Sequence, residues 1–186
     1  MATSEGSESR LVELKAKTED LNSVRNLVKS LGAHYIGEFH QIDTYFEVPK
    51  GRLKLRQIEG QDKAELIYYK REDIPGPKRS EVFILKIPKP ETFKGLFEKV
   101  LEKKVVIDKN REIHRYKGTQ IHLDNVKDLG TFIEFERKTK SSTKAVQKDQ
   151  EVVHQLMRKL GIEKDELIEG SYSDLATART NTGKKS

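Results

Sequence analysis

Charged and apolar residues alternate one for one in several short segments of this chain, beginning with Leu11-Val12-Glu13-Leu14-Lys15-Ala16-Lys17. In an extended strand successive side chains point to opposite faces, so Glu13, Lys15 and Lys17 share one face and Val12, Leu14 and Ala16 the other. The pattern returns in Arg52-Leu53-Lys54-Leu55-Arg56, in His122-Leu123-Asp124 and in Glu134-Phe135-Glu136. One such strand alone reads as a solvated sheet face. Repeated along the chain, the pattern predicts a sheet with one face given over to charge, and if that face curls inward it makes a binding tunnel.

The rest of the chain supplies what such a sheet needs. Apolar residues recur at the helical period in three places: Val24, Leu27, Val28 and Leu31; Phe93, Leu96, Phe97, Val100 and Leu101; and Val146, Val153, Leu156, Met157 and Leu160. Gly32 and Gly161 close the first and third helices, and Pro90 sits where the second begins. The apolar stripes of all three are expected to be core. Strands are expected around Leu11–Lys17, Gly37–Val48, Arg52–Glu59, Ala64–Lys70, Ser80–Ile87, Val106–Tyr116, Gln120–Asn125 and Thr131–Arg137. Pro49-Lys50-Gly51 and Lys117-Gly118 are turn signals between adjacent strands, so the sheet is expected to be antiparallel. Ile74-Pro75-Gly76-Pro77 reads as a loop. The fold class is therefore α+β: a closed antiparallel eight-stranded β-barrel, which leaves no open edge, with amphipathic helices packed outside.

The chain's 186 residues suit a single domain, assigned to residues 11–175. Residues 1–10 and 176–186 are small, polar and without apolar period, and are expected to be disordered. A formal charge of +6, from 36 Lys and Arg against 30 Asp and Glu, favours an anionic partner without choosing one. The absence of cysteine removes disulfides, thiolate catalysis and zinc-thiolate sites and suits a cytoplasmic protein. Neither a membrane span nor a signal-like start is indicated. Few aromatic residues and a mixed-sign surface argue against nucleic-acid binding.

The polar sides of the strands hold the basic residues Lys15, Lys17, Arg52, Lys54, Arg56, Lys70, Lys109 and Arg111 and the acidic residues Glu13, Asp124, Glu134 and Glu136. In one cavity the bases would outnumber the acids, and ion pairing alone would leave buried cations without partners. A polyanion with a hard divalent metal satisfies both sets: Arg and Lys donate to phosphate oxygens, and carboxylates hold Mg²⁺ or Mn²⁺. The five histidines show no ligand spacing, which argues against zinc; His122 is the one expected on the inner face. A Walker-type glycine loop and a credible serine nucleophile with an adjacent base are both missing.

Val12-Glu13-Leu14-Lys15, Asp43-Thr44-Tyr45-Phe46, Gly51 to Arg56, Ile121-His122-Leu123-Asp124, Glu134-Phe135-Glu136 and Gly170-Ser171-Tyr172 together resemble, in order, the motifs of the CYTH family. This family of triphosphate tunnel metalloenzymes joins class IV adenylyl cyclases, thiamine triphosphatases and inorganic triphosphatases. The resemblance implies that Lys15, Arg56, Lys70, Lys109 and Arg111, with Lys54, Arg52 and Arg79 as further members, contact a triphosphate. It implies that Glu13, Asp124, Glu134 and Glu136 hold Mg²⁺ or Mn²⁺, and that Glu13, Lys15, Glu134 and Glu136 form the catalytic set. One position departs. The family opens with Glu-x-Glu-x-Lys, where this chain has Leu11-x-Glu13-x-Lys15, so one metal-binding acid is missing. Hydrolysis of a nucleotide, thiamine or inorganic triphosphate leads the expected functions; cyclisation of ATP and non-catalytic triphosphate binding are the alternatives.

Overall fold

The computed structural model describes residues 6–183. Among them, eight strands run in the order β1 (Gly6–Thr18), β2 (His34–Phe46), β3 (Arg52–Ile58), β4 (Lys63–Arg71), β5 (Lys78–Pro88), β6 (Lys103–Tyr116), β7 (Thr119–Val126) and β8 (Gly130–Lys138). All neighbours are antiparallel, and the sheet closes on itself as β1-β5-β4-β3-β2-β6-β7-β8. Turn chemistry helps set the register. Lys117 and Gly118, with φ of 46° and 78°, both take the left-handed region that a two-residue hairpin requires, and they bring β6 directly back as β7.

Four helices accompany the barrel: α1 (Leu21–Ser30), α2 (Pro90–Val100), α3 (Thr143–Lys159) and α4 (Tyr172–Gly183). Asp20 caps α1 by accepting from the backbone N–H groups of Asn22 and Ser23, and Ser142 caps α3 through Ala145. The outer, apolar side of β1 meets these helices: Val12, Leu14 and Ala16 are fully buried with Val24 and Val28 of α1 and Val153, Leu156 and Met157 of α3. Each buried Val, Leu and Met side chain here stabilises the fold by about 1.5–3 kcal/mol. The barrel is thus dry on its outside, under α1 and α3, and charged within.

The structure corrects three expectations. Residues 6–10 belong to β1, because pairing with residues 81–85 of β5 supplies the hydrogen bonds their composition does not advertise; residues 1–5 lie outside the described residues. The tail is helical to Gly183, with residues 184–186 outside the described residues. The α2 stripe is not core: none of its residues is buried, Phe93 and Phe97 lean on Phe46, Leu55 and Ile87, and Leu96 and Val100 are exposed.

Candidate active site

The barrel encloses a cavity of about 780 Å³ lined from every strand. One end is filled. Tyr172, Leu175 and Ala176 of α4, with Ile168 before it, pack against Tyr45, Tyr69, Ile107, Val126 and Phe132. At the other end the hairpin turn at Gly118 and the residues Phe39, Ile58, Gln61, Ile113 and Arg115 form a mouth.

Between mouth and floor lies a band of charge in two poles. The basic pole comes from β2, β3 and β6. Asp43 is fully buried and serves three cations: Lys54 Nζ donates to it at 2.9 Å, Lys109 Nζ at 2.8 Å, and Arg56 through Nε and Nη2 at 2.7 and 2.8 Å. Burial alone would raise the Asp43 carboxyl, but Arg56, Lys109 and Lys54 hold it well below the usual range. Burial, reinforced by Arg56, Arg111 and Lys54, pushes the Lys109 ammonium well below the usual lysine value despite Asp43. One carboxylate therefore carries more positive charge than it can neutralise.

The acidic pole comes from β1, β7 and β8. Register places Glu13 opposite Glu136 and Lys15 opposite Glu134. Lys15 Nζ donates to Glu134 Oε1 at 2.8 Å and sits 3.7 Å from the Tyr172 ring centroid. Arg111 bridges the poles, gripping Asp124 at 2.7 and 2.5 Å and Glu134 at 2.6 Å. Against a burial that would raise it, Lys15 and Arg111 hold Glu134 well below the usual range. Glu13 goes the other way: burial, together with the charges of Glu134 and Glu136, raises it although Arg71 donates to it at 2.6 Å. A carboxyl raised in this way is the better proton acceptor of the pair.

Of the residues singled out by the sequence, Glu13, Lys15, Lys54, Arg56, Lys109, Arg111, Glu134 and Glu136 line the cavity, as does Leu11. Asp124, on the same face of β7 as His122, is buried and engaged by Arg111 at both oxygens and by the Tyr172 hydroxyl at 2.7 Å. Arg52 faces inward but is spent on Asp73 and Asp174, where it ties down α4. Lys17 is exposed at the end of β1. Lys70 and Arg79 are corrections: strand alternation turns both outward, where Arg79 pairs with Glu81, and puts their neighbours Arg71 and Lys78 inside. Lys78 Nζ donates to the carbonyls of Ile168 and Glu169, and burial lowers its ammonium to about 8. Asp43 is the residue that carried no assigned role; its place in Asp43-Thr44-Tyr45-Phe46, facing Arg56 and Lys54 across a hairpin, was the available signal.

Glu134 and Glu136 approach His122 closely enough for the three side chains to offer ligand atoms within 4.8 Å of one another. Two carboxylates with a buried imidazole fit a divalent cation.

The chain is a closed antiparallel barrel whose lumen sets a basic wall against a carboxylate wall. The chain belongs to the CYTH family: the CYTH domain matches residues 9–172. Members of this family bind triphosphates and depend on divalent metal. The chain is 31% identical over 175 residues to a Methanocaldococcus jannaschii protein named "putative adenylate cyclase", a match covering 88% of this chain and 97% of that one. Among solved structures, a Pyrococcus horikoshii protein superposes with a TM-score of 0.77 at 22% identity, covering 89% of this chain and 98% of that one. A Hippeastrum protein described as having a dominant triphosphatase activity superposes with a TM-score of 0.62 at 15% identity, covering 93% and 96%. Among the described residues no helix is long and apolar enough to cross a membrane.

Proposed function

We propose that this chain is a cytoplasmic, metal-dependent triphosphatase. The observation that carries the reading is Asp43: three cations converge on one buried carboxylate, while Arg71, Arg111 and Lys15, each already paired with a carboxylate, border the same cavity. An excess of cations around one carboxylate favours an anion among them, and a triphosphate has the charge and the oxygens to serve them.

In this reading Lys54, Arg56, Lys109, Arg111, Arg71 and Lys15 bind and orient the phosphate oxygens and stabilise the charge that develops on them. Glu134 and Glu136 hold the divalent cation, Mg²⁺ or Mn²⁺, which when bound neutralises charge on the phosphates. Glu13 accepts the proton of a water whose oxygen attacks the terminal phosphorus. The bond from that phosphorus to its bridging oxygen breaks, giving phosphate and a diphosphate. Leu11 lines the cavity between Lys138 and Ser80, neither of which supplies the missing carboxylate, and this favours one metal rather than two. The apolar rim at Phe39, Ile58 and Ile113 gives an organic group on the triphosphate a place to rest.

Cyclisation of a nucleoside triphosphate is the second reading, favoured by the name of the Methanocaldococcus relative. There the ribose hydroxyl attacks the first phosphorus and diphosphate leaves. A screen of phosphate and cyclic-nucleotide release from ATP, GTP, thiamine triphosphate and inorganic triphosphate, with Mg²⁺ and Mn²⁺ compared, separates the two. Phosphate release lost in Arg56→Ala and Glu134→Gln supports hydrolysis in the tunnel. Turnover that survives both substitutions sinks the assignment, and binding without turnover of any substrate leaves a binding module, which Leu11→Glu should then convert to an active one.

A further inference from the structure

His122, on β7, is 2% exposed and lines the cavity. Its Nε2 lies 3.0 Å from Gln120 Oε1. A carbonyl oxygen only accepts, so Nε2 carries a proton, and in the neutral imidazole Nδ1 then holds the lone pair. That Nδ1 is buried and has no hydrogen-bond partner. It faces Glu134 Oε2 at 3.7 Å and Glu136 Oε1 at 3.8 Å, too far for a hydrogen bond to either.

The spacing has another meaning. Two ligand atoms bound to one ion at about 2.1 Å, at tetrahedral or octahedral angles, stand roughly 3.0–3.4 Å apart. The Nδ1 separations of 3.7 and 3.8 Å lie a few tenths of an ångström beyond that range, so a small inward movement closes the set around a cation. Gln120 plays the part of the outer partner that fixes a ligating imidazole in the right tautomer. On β1, the strand beside Glu134 and Glu136, Leu11 offers no oxygen where the family motif places one, and Asp124 is engaged by Arg111 and Tyr172, so a nitrogen gains weight in the donor set.

We propose that His122 Nδ1 is a direct ligand of the divalent cation held by Glu134 and Glu136, and that this mixed nitrogen and oxygen site prefers Mn²⁺, Co²⁺ and Zn²⁺ to Mg²⁺. Imidazole suits the transition ions, whereas Mg²⁺ favours oxygen donors and retains its waters. Arg111 keeps its paired grip on Asp124 and gives up Glu134 Oε2 when the cation enters. The inference rests on the metal-dependent reading above, and its test keeps the two apart.

The test uses the full chain and the metals alone. In the wild-type protein, Zn²⁺ should shift the Nδ1 resonance of one imidazole, and Co²⁺ should give visible absorption bands of a nitrogen-containing site. His122→Gln should weaken Co²⁺ and Mn²⁺, followed by absorption and electron paramagnetic resonance, by about tenfold or more while changing Mg²⁺ affinity less than about twofold. Gln120→Leu, which leaves the ligand in place but frees its orientation, should cost the transition ions about tenfold. An Nδ1 resonance that stays put at saturating Zn²⁺ overturns the proposal without need of any variant. If Glu134→Gln and Glu136→Gln weaken metal binding and His122→Gln does not, the nitrogen ligand is wrong and the metal-dependent reading survives; if none of them matters, both fall.

Discussion

Replacing Asp43 by asparagine keeps the shape of the residue and removes the charge that Lys54, Arg56 and Lys109 share. Removing one partner of a buried ion pair costs about 3–5 kcal/mol, because the charge left behind has neither partner nor bulk water. Two circumstances place this case at the lower end. The cations border a cavity that admits water, and Lys109, whose ammonium is already disfavoured by burial, can shed its proton. A loss of about 3 kcal/mol in a chain of this size corresponds to a fall of about 6–12 °C in Tm for the ligand-free protein. The reasoning makes a second demand. If the cations are waiting for phosphate oxygens, inorganic triphosphate should restore more stability to Asp43→Asn than it adds to the wild type, since ligand binding stabilises by RT ln(1 + [L]/Kd) and the variant's cations no longer have to leave Asp43. Calorimetric scans of both proteins, with and without triphosphate, measure both quantities. A fall under about 2 °C, or the same fall with and without triphosphate, would refute the account of the basic pole.

Arg71→Ala should weaken triphosphate binding about 10- to 100-fold, the worth of a charge-assisted hydrogen bond, whereas Lys70→Ala and Arg79→Ala, which alter the outer surface, should stay within about twofold by isothermal titration calorimetry. Equal losses at Arg71 and Lys70 would mean that the β4 alternation is misplaced. Asp43, Asp124 (to about 2) and Glu134 all have folded-state values below the ordinary carboxylate ones. Their stabilisation is complete above about pH 4–5 and lost as pH falls through the folded values, so urea midpoints should drop below about pH 4, less steeply in Asp43→Asn; a wild-type midpoint that stays level to about pH 2 contradicts this. Tyr172→Phe, by removing the hydroxyl that donates to Asp124, should cost about 1 kcal/mol, read as a Tm lower by about 2–4 °C.

What was legible in the sequence was the alternation itself. Glu13 and Lys15, Lys54 and Arg56, Lys109 and Arg111, and Glu134 and Glu136 stand two apart with a residue of the opposite face between them, so parity assigned them together. Parity failed where neighbours are chemically alike. Tyr68-Tyr69-Lys70-Arg71 and Lys78-Arg79 place a base on each face, and only the register against β3 and β5 says which one is inside. Asp43 escaped because its meaning lies in cations that come from β3 and β6, far apart in sequence. Helix α4 escaped because Ser, Thr and Ala along Tyr172–Gly183 carry no apolar stripe; it is held by the barrel's end through Tyr172, Leu175 and Ala176.

That helix packs over the end of the barrel opposite the mouth. On the proposed function, a triphosphate entering phosphate-first by that mouth would reach Lys15 and Tyr172 with its organic end still at the rim. Departure by the same mouth would then reverse arrival: whatever remains nearest the mouth goes first, and the piece cut off at the bottom goes last. An enzyme built this way should be held back by inorganic phosphate as its last product to leave, and lengthening the substrate at its organic end should affect its residence more than its reaction.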